Sequence, residues 1–250
     1  MSRAPQPAGA AIAPGYRVVG HLRRGKGIDV YEVWSSERSC TCVAKVLRPE
    51  LRSDVRWRRR LRREGRLLLS LSHPHIVRAY DLRERPDPVV VLESLTGSTV
   101  AHMIESRGRL SATDVAWLGI HLCSAVGYLH GRGILHLDVK PSNVVADNGD
   151  AKLLDLSVAR PPGPARKRVG TVPYMAPEQL ASGELTAATD VWGIGATLHE
   201  AATGMRANGR TGGPRGRLGR AVAACLDASP RNRPSVRELA ELLEAIAPHG

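Results

Sequence analysis

Phenylalanine is absent from this 250-residue chain, and aromatic residues as a whole make up only 4% of it. Aliphatic side chains must therefore carry most of the burial that aromatics often supply. Lysine is scarce as well, with five among 36 basic residues. A Lys at a chemically sensible position thus carries more information than usual. The four cysteines, Cys40, Cys42, Cys123 and Cys225, form no CxxC pair and no metal-ligand spacing with His. They read as reduced thiols of a cytoplasmic protein. No apolar run approaches the ~18 residues that a membrane helix needs. The opening MSRAPQPAGAAIAPG also lacks the continuous apolar core of a signal peptide. A soluble chain without a membrane partner is expected.

What is present suits a folded protein. With 42% hydrophobic and 24% charged residues, disorder along the whole chain is excluded. The length suffices for one large domain or two associated lobes. A net charge of +12 attracts polyanions non-specifically. However, Arg, Ala, Gly and Pro share GC-rich codons, so the surplus reads mainly as compositional background. The Arg-rich run 56–66 reads as a solvated helix face, and nucleic acid is not expected as the main partner.

Residues 1–13 are Ala/Pro-rich and aperiodic, which predicts a flexible tail. Short β-type runs follow at 16–22, 30–35 and 41–47, then a helical stretch over 54–71, then strands at 77–82 and 88–93. Beyond Gly97 the pattern is helical: Ser111 and Asp114 announce a helix to His130, and further helices are expected at 187–202, 218–227 and 235–247. Between them, 131–178 is rich in loops. The predicted organisation is a small lobe over 14–93, a hinge at 94–97 and a large lobe over 98–250, shortened and flexible at 205–217.

One local match is set aside first. Gly20 to Gly27 nearly fits GxxxxGK[ST], but Gly27 replaces the hydroxyl residue and the segment leads into a β-type run where a P-loop must open a helix. The informative group lies in the loop-rich middle: His136-Leu-Asp138-Val-Lys140-Pro-Ser-Asn143, followed by Asp155-Leu-Ser157. Asp, Lys and Asn at this spacing converge if the loop turns tightly, and a second Asp after the next hairpin adds another hard oxygen ligand. Such oxygens suit Mg²⁺.

With these motifs the sequence resembles the eukaryotic-type (Hanks-type) protein kinase family, in its bacterial Ser/Thr branch, over about residues 16–247. Val43-Ala-Lys45, Glu64, His73-Pro-His-Ile-Val77, HLDVKPSN, the Asp155 triplet, Gly170-Thr171 through Glu178, Asp190-Val-Trp-Gly and Arg231-Asn-Arg233 stand in the family's order. The resemblance implies an α+β bilobal fold with a small β-rich lobe and a larger helical lobe. It implies transfer of the ATP γ-phosphate to Ser/Thr hydroxyls of protein substrates, with ATP and Mg²⁺ as cofactors.

By the same resemblance Asp138 accepts the hydroxyl proton, and Lys140 neutralises charge on the moving phosphoryl group. Asn143 and Asp155 hold Mg²⁺. Lys45, paired with Glu64, grips the ATP phosphates, while Leu22, Gly25, Val30, Val43, Glu93 and Leu95 surround the nucleotide. Thr171 belongs to the substrate loop, Glu178 and Arg233 form a structural ion pair, and Asp190 anchors the catalytic loop.

The departures are specific. Arg23, Gly25 and Ile28 fall at the three glycine positions of the nucleotide loop, Ser157 closes the metal triplet in place of Gly, and Leu137 replaces an Arg. Residues 158–169 contain no Ser, Thr or Tyr, so phosphorylation cannot act there. These departures define the alternative reading, a pseudokinase scaffold with weak or no phosphotransfer.

Overall fold

Period-two alternation shapes the first half of the chain. In a computed structural model describing residues 4–165, 168–207 and 212–247, strands β1 (Ala11–Ala13), β2 (Tyr16–Arg24), β3 (Ile28–Ser35) and β4 (Cys40–Leu47) are followed by helix α1 (Val55–Leu69). Strands β5 (Ala79–Arg83) and β6 (Val89–Glu93) then complete an antiparallel sheet of order β1-β2-β3-β4-β6-β5. Tyr16, Val18, Tyr31, Val33, Cys42, Ala44, Val46, Val89 and Val91 form one buried cluster. On β3 and β4 these are the alternate residues, as a half-covered sheet requires. Helix α1 packs against β4, β5 and β6. Its start is capped by the Asp54 carboxylate, which accepts from the Arg56 and Trp57 backbone N–H groups.

The expected flexible tail is corrected over residues 9–13. Gly9 N–H donates to Val18 O and Val18 N–H to Ala10 O, β1 pairs with β2, and Ala10, Ile12 and Ala13 pack on the apolar cluster. The segment has no periodicity because its order comes from the open edge of β2, which supplies the backbone partners.

By contacts the chain divides into two compact units, 1–72 with 77–95, and 73–76 with 96–250. The division falls after Leu95 and assigns 73–76 to the second unit. Leu153 N–H donates to His75 O, Ile76 bridges Leu153, and the His75 ring stacks on His121 at 4.1 Å. His75, His121 and Asp150 bring ligand-type atoms within 4.8 Å of one another. Yet His121 Nδ1 accepts the Ala151 N–H, which leaves the neutral ring's proton on Nε2, and the two rings lie only 14° from parallel. Nearly parallel rings do not aim their lone pairs at a common point, so the group acts as a packing anchor.

The second unit comprises β7 (Ser98–Thr99), α2 (Val100–Arg107), α3 (Ala112–His130), β8 (Val144–Asp147), β9 (Asp150–Leu153), β10 (Gly163–Pro164), α4 (Pro177–Leu180), β11 (Glu184–Leu185), α5 (Ala187–Thr203), α6 (Gly216–Cys225) and α7 (Val236–Glu244). Helix α3 packs against α5, α7 and β9, and is capped at Ser111 as expected. Strands β8, β9 and β10 lie within the span 131–178 expected to be rich in loops, where β8 and β9 form a sheet with β7 and β10 pairs with β11. The predicted flexible stretch 205–217 falls partly outside the described residues, and α6 begins inside it at Gly216. Among the described residues no helix is long and apolar enough to cross a membrane.

Candidate active site

In the first unit, strand alternation puts Val43 and Lys45 on the face of β4 opposite Cys42, Ala44 and Val46, and Val30 pairs with Lys45 across the sheet. Glu64 falls on the buried stripe of α1 with Leu61, Gly65 and Leu68. A carboxylate only 2% exposed requires a partner, and Lys45 Nζ meets Glu64 Oε1 at 2.5 Å. The sequence-predicted pair is therefore assembled. Leu22 is exposed. Glu93 N–H is taken by Arg78 O, and Leu95 is half-buried at the end of this unit.

The glycine-poor turn is closed on itself. Gly25 N–H donates to Ile28 O at 2.8 Å, so this group is already engaged. Across the turn Arg24 grips the buried Asp29 with two hydrogen bonds, Nε to Oδ1 and Nη2 to Oδ2. Burial would raise the Asp29 carboxyl, but the Arg24 guanidinium and His21 hold it below its ordinary value. Gly27 is required by close approach, because a Cβ there would lie 2.6 Å from the Trp57 ring.

In the second unit the loop between α3 and β8 is suspended from Asp190, in the first turn of α5. The fully buried Asp190 carboxylate accepts the backbone N–H of His136 at 2.8 Å and of Leu137 at 2.7 Å, and contacts His130 Nε2 at 2.8 Å. Leu137, so held, has a positive φ of 66° directly before Asp138. Its side chain is buried with Leu135, Ala165 and Leu185, and Val158 and Val169 pack on that cluster. The position expected to lack the family's Arg thus holds an apolar contact with the segment 158–169.

Asp138, Lys140, Asn143 and Thr171 interlock. Lys140 Nζ lies 2.6 Å from both Asp138 Oδ2 and Thr171 Oγ1, and the Thr171 hydroxyl donates to Asp138 Oδ1 at 2.7 Å. Asn143 Nδ2 donates to Asp138 O and Oδ2 at 3.0 and 3.1 Å. Because the Asn143 nitrogen is engaged with Asp138, Oδ1 is the amide atom suited to a hard cation. Leu154 N–H donates to Asn143 O, which fixes the start of the Asp155 triplet beside Asn143. Asp155 has φ of 60°, and its Oδ1 accepts Ser157 N–H. Leu156, the middle residue of the triplet, is buried. The Asn143 amide oxygen and the Asp155 carboxylate are the oxygen donors that a divalent hard cation takes.

Behind the site, Arg233, with a fully buried side chain, makes a fork on Glu178: Nη1 to Oε1 at 2.7 Å and Nη2 to Oε2 at 2.9 Å. It also donates to Ala188 O and Asp227 O and lies over the Trp192 ring at 5.0 Å. Burial would raise Glu178, but Arg233 keeps it below the ordinary carboxylate value. Tyr174 donates to Glu200 at 2.7 Å, and burial reinforced by Glu200 pushes the phenol up to about 12. Sequence reading assigned no role to Gln179 or to His136. Gln179 carries no signal, because the two carbonyls it donates to lie 42 and 10 residues away along the chain.

An anchored loop, an acid-base-amide cluster and a buried Glu-Arg clamp within an α+β chain define the class, and comparison assigns the family. A model of the protein kinase domain matches residues 16–212. The chain belongs to the protein kinase family. Over 195 residues, 73% of this chain, it is 32% identical to a probable serine/threonine-protein kinase of Streptomyces coelicolor. It is 34% identical over 77% of its length to one of Corynebacterium efficiens, and 32% identical over 65% to serine/threonine-protein kinase PknB of Mycobacterium leprae. Within the family these place it in the bacterial Ser/Thr branch. The chain spans 29%, 31% and 28% of those three relatives.

Proposed function

We propose that this chain transfers the γ-phosphoryl group of Mg-ATP to Ser/Thr hydroxyls of proteins. The observation that carries the reading is the interlock of Asp138, Lys140, Asn143 and Thr171, in which a hydroxyl already donates to Asp138 while a cation sits on its oxygen. The substrate hydroxyl would lose its proton to Asp138 as its oxygen bonds the γ-phosphorus and the bond to the ADP oxygen breaks. Lys140 compensates charge on the transferring group, and Lys45, held by Glu64, neutralises the α/β-phosphates. Asn143 Oδ1 and the Asp155 carboxylate would hold Mg²⁺, which when bound offsets charge on the phosphate oxygens. Val30 and Val43 supply an apolar wall for the base.

The test is incubation with radiolabelled Mg-ATP and a generic basic protein. Label is expected on the protein, and Lys45→Met should lower transfer about 100-fold, the usual order for removing a charge-stabilising donor. Bound nucleotide without transfer would instead support the scaffold reading, which the engaged Gly25 N–H favours.

Activity should also need no activating phosphate, since residues 158–169 contain no Ser, Thr or Tyr and Leu137 meets that segment through apolar packing. Phosphatase treatment is expected to leave the rate unchanged. A large loss, with phosphate mapped to Thr171 or elsewhere between Asp155 and Glu178, would contradict this.

A further inference from the structure

We propose that Gln179 is a positioning residue that sets the spacing between the loop carrying Asp138 and the segment carrying Thr171. The inference rests on the phosphotransfer reading. Gln179, in α4, is 3% exposed and uses both ends of its amide. Nε2 donates to Leu137 O at 3.0 Å and to Val169 O at 2.8 Å, while Oε1 accepts Ala176 N–H at 2.9 Å. Leu137 immediately precedes Asp138, and Val169 lies two residues before Thr171. One side chain therefore ties together the backbones on either side of the Asp138–Thr171 hydrogen bond.

The chemistry asks for an amide of this length. Two carbonyl oxygens need two N–H donors, and one backbone N–H needs an acceptor, which is the inventory of Gln and of no carboxylate or hydrocarbon of the same size. The surroundings are built for the approach. Gly170 has φ of 113°, and a Cβ on it would lie 2.7 Å from Leu137 O and 3.0 Å from Gln179 Nε2. Leu137 is already strained into positive φ by the Asp190 anchor, so the direction of its carbonyl is fixed and Gln179 fits that direction. Without the amide both carbonyls lose their donor in a buried site, and the two segments can drift apart.

Three measurements test this on the full chain. Gln179→Met is expected to lower kcat about 10- to 100-fold with KM for ATP within about twofold, as misplacement of reacting groups does. In a Thr171→Val background the same substitution should have little further effect, because the bond that Gln179 positions is already gone. Additive losses would mean that Gln179 acts only on general stability, and would overturn the proposal. If Gln179→Met does not fold, Gln179→Glu keeps the acceptor for Ala176 N–H and regains a donor when protonated. Burial raises its pKa, so its kcat should recover as pH falls from about 8 to about 6 relative to wild type. A profile parallel to wild type would overturn the proposal. An inactive wild-type chain would defeat the phosphotransfer reading, whereas an active chain indifferent to Gln179 defeats only this inference.

Discussion

Asp138→Asn is expected to reduce phosphoryl transfer by about 10²- to 10⁴-fold, the range for removing a general base. The substitution keeps the side-chain shape and still offers an oxygen to Thr171 or Lys140. It removes the carboxylate that takes the hydroxyl proton, and it removes the charge that holds Lys140 at 2.6 Å. The new amide would also face the Asn143 nitrogen, which in the wild type donates to Asp138 Oδ2. The fold should tolerate this, because the loop hangs from Asp190 through backbone groups that the change does not touch. Radiolabel transfer and nucleotide binding measured side by side check it. Lost transfer with nucleotide affinity within about threefold is the expected result. Undiminished transfer would place the base elsewhere or reveal a contaminating enzyme.

The largest effect on stability is expected from Arg233→Met, about 3–5 kcal/mol at neutral pH, the range for breaking a buried ion pair by removing one partner. The guanidinium is fully buried, forks onto Glu178 and also satisfies the Ala188 and Asp227 carbonyls. Without it Glu178 stays partly buried and unpaired, so it must remain ionised at a cost or take up a proton. The sign of the pH dependence follows. In the wild type the folded Glu178 pKa lies below its ordinary value, so its contribution is fully present above the ordinary carboxylate range. It is lost as pH falls through the folded pKa. In the variant, protonation relieves the unpaired charge, so the gap between the two proteins should narrow from about pH 7 toward about pH 4. Urea unfolding across that range measures it, and a constant gap would show that lost packing against Trp192 dominates instead.

Legibility of this protein varied with how local the cause was. The strand alternation around Lys45 and the helical stripe bearing Glu64 are properties of neighbouring residues, so both elements could be read directly, within a few residues at their ends. The HLDVKPSN run was legible because its chemistry is compressed into eight residues. The order of segment 9–13 was not, because it depends on the open edge of β2 and carries no pattern of its own. Segment 73–76 was read with the first lobe by position in the chain, while its partners are His121, Ala151 and Leu153 in the second unit. Gln179 stayed invisible for the same reason, since its donors reach residues 42 and 10 positions away.

By itself the sequence determined the family, the α+β character and the identity of the residues that carry charge at the site. The scarcity of Lys helped, since Lys45 and Lys140 stand out. Tertiary structure alone decided how those residues are held. Asp190 suspends the loop, Arg233 clamps Glu178, and Gln179 bridges two segments distant along the chain. The reason is physical: residue type and local spacing specify chemistry and periodicity, whereas a buried hydrogen bond exists only once distant segments meet at 2.7–3.0 Å with every donor and acceptor matched.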